Sequence, residues 1–210
     1  MILLLALFIF SLVPGVISAP GELVERQGFY YSFWSEGNGN FKCNNGAAGQ
    51  YSCTWSGKGG FVAGKGWRGG GARTIKYTGT YEAKGPGYLA IYGWTRNPLI
   101  EYYVIEAHAE LAANEPWTSK GNFTFEDGTY EVFTSTRVNK PSIEGTRTFQ
   151  QYWSVRTEQR IGGSVNMKRH FDEWAKLGMK LGNHDYMIVA TEGFTNGNNA
   201  GSGKSSITVQ

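Results

Sequence analysis

The sequence predicts an all-β fold, an antiparallel β-sandwich or jelly roll of two twisted sheets with one α-helix. Composition is the first reason. Among 210 residues are 30 Gly, 7 Trp, 12 Tyr and 12 Phe, while charged residues make up only 18%. Glycine stands at about twice its average usage and charge lies below the usual quarter. Tight turns and pleated, aromatic surfaces suit that balance. A coiled coil, an Ala/Glu/Lys/Leu-rich bundle and a disordered chain do not. The second reason is period-two alternation of apolar and polar residues in stretch after stretch. The third is that a helical period occurs only once. Composition is uniform along the chain, as in one domain. A net charge of +3 with no run of Lys and Arg leaves no footprint for nucleic acid.

Taken in order, residues 1–19 carry no charged side chain, have an apolar core over 3–12 broken at Pro14, and end in Ile17-Ser18-Ala19. This reads as a secretory signal peptide and predicts a secreted, extracellular product. A membrane anchor is the alternative, but Pro14 and Gly15 interrupt the stretch and no charged stop follows. No other segment is apolar enough to span a bilayer, so no membrane partner is expected. Residues 20–26, ending at Arg26, read as a short pro-segment, and 27–210 as a single domain. Cys43 and Cys53 flank a polar turn that suits a hairpin. Paired positions on antiparallel strands lie within disulfide reach, and export means oxidising conditions, so one bridge is predicted. Asn122-Phe123-Thr124 is an N-glycosylation sequon, usable where the producing cell glycosylates.

Residues 87–94 alternate cleanly: Tyr88, Tyr92 and Trp94 share one face, Leu89 and Ile91 the other. In the strand at 101–105, Glu101, Tyr103 and Ile105 point one way. Strands at 130–138 and 148–156 follow, joined by residues 139–145, which read as a long hairpin tip rather than a two-residue turn. Met167, Phe171, Trp174 and Ala175 form one apolar stripe at helical spacing. Asn166 or Ser164 can cap that helix and Gly178 can end it, placing it at about 166–177. A late strand at 186–192 sets Tyr186 and Glu192 on the same face. Residues 196–204 read as a loop before a last strand at 205–210.

A row of aromatics with polar tips is not needed for solubility. It suits a flat, hydroxyl-rich ligand, because rings cover the apolar sugar face while hydroxyls donate or accept. Glu101 and Glu192 each lie in an otherwise neutral strand and share a face with tyrosine. Carboxylates in a partly desolvated cleft have raised pKa values, and one protonated with one ionised is the equipment of glycoside hydrolysis. From the residues alone, edge charges that discourage aggregation remain an equal reading. His108, His170 and His184 are scattered, and His170 reads as structural. Two cysteines and no His-rich pattern argue against a metal site. No phosphate loop or esterase elbow is present.

From about Phe29 to Val209 the chain resembles glycoside hydrolase family 11 endo-β-1,4-xylanases. The matching stretches are Val-Ala-Gly-Lys-Gly-Trp at 62–67, Tyr-Gly-Trp-Thr-Arg-Asn-Pro-Leu-Ile-Glu-Tyr-Tyr at 92–103, Arg-Val-Asn-Lys-Pro-Ser-Ile-Glu-Gly at 137–145, Phe-Gln-Gln-Tyr-Trp-Ser-Val-Arg at 149–156 and Ala-Thr-Glu-Gly-Phe at 190–194. The resemblance implies a β-jelly roll shaped like a partly closed right hand, a single catalytic domain over 27–210, and a retaining enzyme. Glu101 matches the nucleophile and Glu192 the general acid/base. Tyr92, Tyr103, Arg137, Gln151 and Tyr186 match cleft residues, Trp34 a stacking tryptophan at the glycone end, and Pro141 and Ile143 a thumb tip over the cleft. Tyr88 and Trp94 join them as substrate-binding candidates. The carboxyls of a retaining pair lie about 5–5.5 Å apart. Xylan is the expected partner, no cofactor or metal is expected, and the chain is expected to be a monomer.

Three departures stand out. Gly60, directly before Phe61, occupies a place where the family usually has Asn or Asp bonded to the acid/base. Residues 107–117 replace a segment that is often Gly-x-Tyr-x-Pro. Met187 and Phe194 stand for the more frequent Gln and Tyr, and Met187 is expected to affect packing only. A β-1,4-glucanase and an inactive sugar-binding module are the rival readings. Two retained acids argue against the second, and Gly60 keeps it open.

Overall fold

The computed structural model describes residues 28–112 and 116–210. The readings for residues 1–19 and 20–26 lie outside the described residues. In chain order the strands are β1 (Tyr30–Gly37), β2 (Asn40–Asn45), β3 (Gln50–Ser56), β4 (Gly59–Arg68), β5 (Thr74–Lys84), β6 (Gly87–Arg96), β7 (Ile100–Glu110), β8 (Thr118–Phe125), β9 (Gly128–Ser142), β10 (Gly145–Arg156) and β11 (Gly163–Asn166). Then come the helix α1 (Met167–Lys176) and β12 (Asn183–Asn196), β13 (Asn199–Ala200) and β14 (Ser202–Val209).

The strands form the two-sheet jelly-roll sandwich expected of them. The larger sheet runs β1-β4-β12-β6-β7-β10-β9-β8, with β13 paired to β12, and the smaller runs β11-β5-β14-β3-β2. Among the described residues the ladders are antiparallel except one: β10 pairs β7 in parallel, with Gln151 opposite Glu101 and Trp153 opposite Tyr103.

The alternation along β6 divides two cores. Leu89 and Ile91 face the smaller sheet among Tyr51, Tyr77, Tyr102 and Val104. Tyr88, Tyr92 and Trp94 join Tyr103, Trp153 and Tyr186 on the opposite face. The large sheet is therefore aromatic on both faces, although an antiparallel sheet needs only one buried face to be stable. The second face is where a site is to be sought.

α1 lies within one residue of its expected ends. The Asn166 side chain accepts from the Arg169 N–H, and Gly178, at φ 76°, adopts the left-handed conformation that follows the helix. His170 is structural, as expected. It is buried against Phe123, Phe125 and Tyr130, and burial with three nearby arginines pushes its pKa down to about 3. The Cys43–Cys53 bridge joins directly opposed residues of the β2–β3 hairpin, with Cα atoms 4.2 Å apart. Asn122 is exposed on β8, at the edge of its sheet.

Two expectations are corrected. Residues 139–145 are not a long tip. The β9–β10 ladder runs to Ser142 opposite Gly145, leaving Ile143 and Glu144 as a two-residue turn, with Gly145 at φ 78°. Polar side chains, Pro141 and Gly145 hide the strand pattern there, because this ribbon has no buried face to impose alternation. Residues 196–204 are likewise a turn with short pairing rather than a loop. β12 extends to Asn196, β13 pairs back on it, and β14 begins at Ser202. Ladder hydrogen bonds made by the backbone need no apolar side chain to form.

Candidate active site

The second face of the large sheet lines a cleft of ≈ 850 Å³. Every sequence-predicted substrate or catalytic residue lines it: Trp34, Tyr88, Tyr92, Trp94, Glu101, Tyr103, Arg137, Pro141, Ile143, Gln151, Tyr186 and Glu192. Strand register explains the gathering. Trp94, Glu101, Gln151 and Ser135 lie side by side across β6, β7, β10 and β9, and Tyr92, Tyr103, Trp153 and Phe133 form a parallel row across the same strands. Glu192 on β12 sits between Val62 of β4 and Tyr88 of β6.

Glu101 is held from three sides. Tyr92 Oη donates to its Oε1 at 2.8 Å, Tyr103 Oη donates to the same oxygen at 3.2 Å, and Gln151 Nε2 donates to Oε2 at 2.6 Å. Two of these donors are themselves fixed. Trp94 Nε1 donates to Tyr92 Oη at 2.6 Å. Trp153 Nε1 donates to Ser135 Oγ at 3.0 Å, and Ser135 Oγ donates to Gln151 Oε1 at 2.8 Å. Burial raises the Glu101 pKa above its ordinary value; the three donors and the charge of Arg137 oppose the rise.

Glu192 has the opposite surroundings. Its Oε2 is buried with no hydrogen-bond partner among the described residues. Burial first, and the negative charge of Glu101 second, push its pKa up to about 8. Tyr103 and Arg137 favour its ionised form but do not prevail. The donors around Glu101 thus favour its anion, while Glu192 keeps its proton at neutral pH. That division of labour is what acid-assisted displacement at a glycosidic carbon requires.

The other aromatics play different parts. Trp34 on β1 is 43% exposed and offers an open ring face. Tyr88 and Trp94 are buried at 1% and 2%. The Tyr88 hydroxyl accepts from the Ala112 N–H, and Trp94 is committed to Tyr92, so both brace the wall from within. Tyr186 packs against Tyr30 and Tyr92, and Ile143 packs on the aromatic cluster from the hairpin tip.

The sequence reading missed Ser135, Trp153 and Trp117. Trp153 stacks on Tyr103 at 4.2 Å, and Trp117 stacks on Trp153 at 4.7 Å, extending the wall. Trp153 stood inside a family motif and Trp117 ended the replaced segment 107–117, but nothing local marked Ser135. Among the described residues, no group of three or more His, Cys, Asp or Glu side chains is gathered as a metal would need. No helix among them is long and apolar enough to cross a membrane.

Comparison with known proteins sets this site in context. The model of glycosyl hydrolases family 11 matches residues 26–208. The chain belongs to that family. Family 11 relatives include endo-1,4-beta-xylanase 4 of Pyricularia oryzae, 50% identical over 191 residues that cover 91% of this chain and 80% of that one. Ethylene-inducing xylanase 1 of Verticillium dahliae is 48% identical over 217 residues, covering 95% of each chain. A solved structure from a comparison of two endo-1,4-beta-xylanases of Trichoderma reesei superposes with a TM-score of 0.79 at 37% identity, covering 86% of this chain and 97% of that one.

Within the family 11 frame, the sequence departures fall at identifiable places. Gly60 lies on the cleft face of β4, two residues from Val62, which pairs with Glu192. A Cβ there would meet nothing nearer than Phe194 Cβ at 3.7 Å, so the position has room for a side chain. Met187 is buried between the sheets, away from the cleft, while the Phe194 ring packs on Tyr88 at 5.0 Å. In the replaced segment, β7 continues to Glu110, Ala112 braces Tyr88 and Trp117 joins the aromatic wall.

Proposed function

We propose that the chain is an endo-β-1,4-xylanase that cleaves internal bonds of xylan with retention of configuration. One observation carries this reading: two buried carboxyls in one cleft, Glu101 bound by three donors and Glu192 pushed up to about 8 with an unpartnered oxygen. Glu101, as the anion, attacks the anomeric carbon. Glu192 protonates the departing glycosidic oxygen, and a covalent glycosyl-enzyme forms. Glu192, now ionised, takes a proton from water, which attacks the same carbon and releases Glu101. Retention asks for the two carboxyls about 5–5.5 Å apart, leaving no room for a water between nucleophile and sugar. Xylose lacks the hydroxymethyl arm of glucose, so a cleft roofed by Pro141 and Ile143 favours xylan over cellulose.

Export as a single catalytic domain over 27–210, acting as a monomer, completes the proposal. The uncharged apolar leader and the disulfide support it. The test is a reducing-sugar assay on xylan and on carboxymethyl cellulose, with proton NMR of the first product anomer. Wild type releases β-anomers from xylan. Glu101→Gln loses turnover while remaining folded, and Glu192→Gln loses about 10²–10⁴-fold on substrates with poor leaving groups. Substantial activity in Glu101→Gln, or an α-anomer as first product, refutes the mechanism; a preference for carboxymethyl cellulose refutes the substrate.

A further inference from the structure

The β9–β10 hairpin leaves the sheet before it ends. The β10–β7 ladder begins at Gln150 and the β9–β8 ladder stops at Thr134. Residues 137–142 and 145–149 therefore pair only with each other, and most of them are exposed. A two-stranded ribbon of this kind is marginally stable by itself. It is also bent near its base, where Asn139 takes φ 52° and the register slips between Arg147 and Phe149.

Its far end is tied down. Arg96, the last residue of β6, donates through Nη1 to Glu144 Oε1 at 2.8 Å and through Nη2 to the Ile143 carbonyl at 3.4 Å. Its Nε donates to Asp185 Oδ2 at 2.8 Å, which pre-orients the guanidinium fork. Ile143, between these contacts, packs on the aromatic wall of the cleft. Glu144 is the sole acid in residues 137–149, which also carry Arg137, Lys140 and Arg147.

We propose that Arg96 and Glu144 form an electrostatic latch that holds the hairpin closed over the cleft, making both of them positioning residues for the bound polysaccharide. The choice of xylan as that polysaccharide rests on the function proposed above; the latch does not. The pair is partly exposed, at 38% and 31% of side-chain area, so salt screens it. Releasing the tip frees Ile143 and Pro141 from the cleft roof, and the chain is then held less well before and after cleavage.

The experiment joins kinetics to hydrogen exchange on the intact enzyme. At low salt, Glu144→Gln raises KM for xylan about threefold, the scale of a partly exposed ion pair, with kcat little changed. Glu144→Lys, which sets two cations face to face, raises it further, and Glu144→Asp restores part of the loss. In 1 M sodium chloride wild-type KM climbs toward the Glu144→Gln value, which itself moves little. Amides 139–147 of the ligand-free protein exchange faster in Glu144→Gln and Glu144→Lys than in wild type. Equal exchange in all three proteins at low salt overturns the latch. Faster exchange with an unchanged KM overturns its positioning role. Faster exchange in a protein whose wild type leaves xylan intact supports the latch and removes xylan as the substrate.

Discussion

Glu192→Gln is expected to stabilise the fold, and to do so more strongly as pH rises. The folded-state pKa of Glu192 is about 8 against an ordinary 4.5. Below pH 4.5 the carboxyl is protonated in both folded and unfolded chains and adds no charge penalty. Between 4.5 and 8 the unfolded chain releases its proton while the folded chain retains it, so stability falls as pH rises. Above 8 the whole penalty is present. At 1.36 kcal/mol per pH unit the gap is worth about 5 kcal/mol. Glutamine keeps the shape and removes the charge, so it escapes the penalty. For a domain of this size 1 kcal/mol moves Tm by about 2–4 °C. The Tm of Glu192→Gln should therefore exceed that of wild type by roughly 10 °C or more at pH 8, and by little at pH 4.5. Calorimetry at pH 4.5, 6 and 8 reads this directly. A difference in Tm that stays constant across those pH values would refute the claim that the acid is kept protonated by burial and by Glu101.

Two further predictions concern catalysis. Gly60→Asn adds an amide on the cleft face of β4, two residues from the Val62 that pairs with Glu192, and a donor reaching Glu192 Oε2 favours its ionised form. The alkaline limb of the pH–rate profile should move to lower pH, and an unmoved limb means the asparagine does not reach that oxygen. Tyr92→Phe removes one donor from Glu101 and leaves the buried Trp94 Nε1 unpaired. The acid limb of kcat/KM should rise by about one to two pH units, since a hydrogen bond to a charged group contributes about 1.5–3 kcal/mol; an unchanged acid limb would show that Tyr92 does not tune Glu101.

Much of the architecture was legible because it rests on local rules. Alternation along residues 87–94 separated Leu89 and Ile91 from Tyr88, Tyr92 and Trp94, and the two cores divide at that line. The stripe Met167, Phe171, Trp174 with Asn166 before it and Gly178 after it marked the helix to within a residue. The two strand glutamates stood out against neutral surroundings, and the resemblance to family 11 gave each an expected role. Where side chains carried no pattern, the reading failed. The exposed ribbon of residues 137–149 and the turn before Ser202 are held by backbone ladders, which leave no hydrophobic period to read.

Residue order alone determined the sheet-rich fold, the helix, the disulfide hairpin and the two acids. Tertiary structure decided what those acids can do. The parallel β7–β10 ladder sets Gln151 and Ser135 beside Glu101, and adjacency across strands cannot be read along a chain. It turned Tyr88 and Trp94 inward as braces and brought Trp117 onto Trp153. The protonation of Glu192 depends on burial and on a charge 91 positions away in the sequence. Electrostatic energy follows distance in space and the local dielectric, and only folding sets either of them.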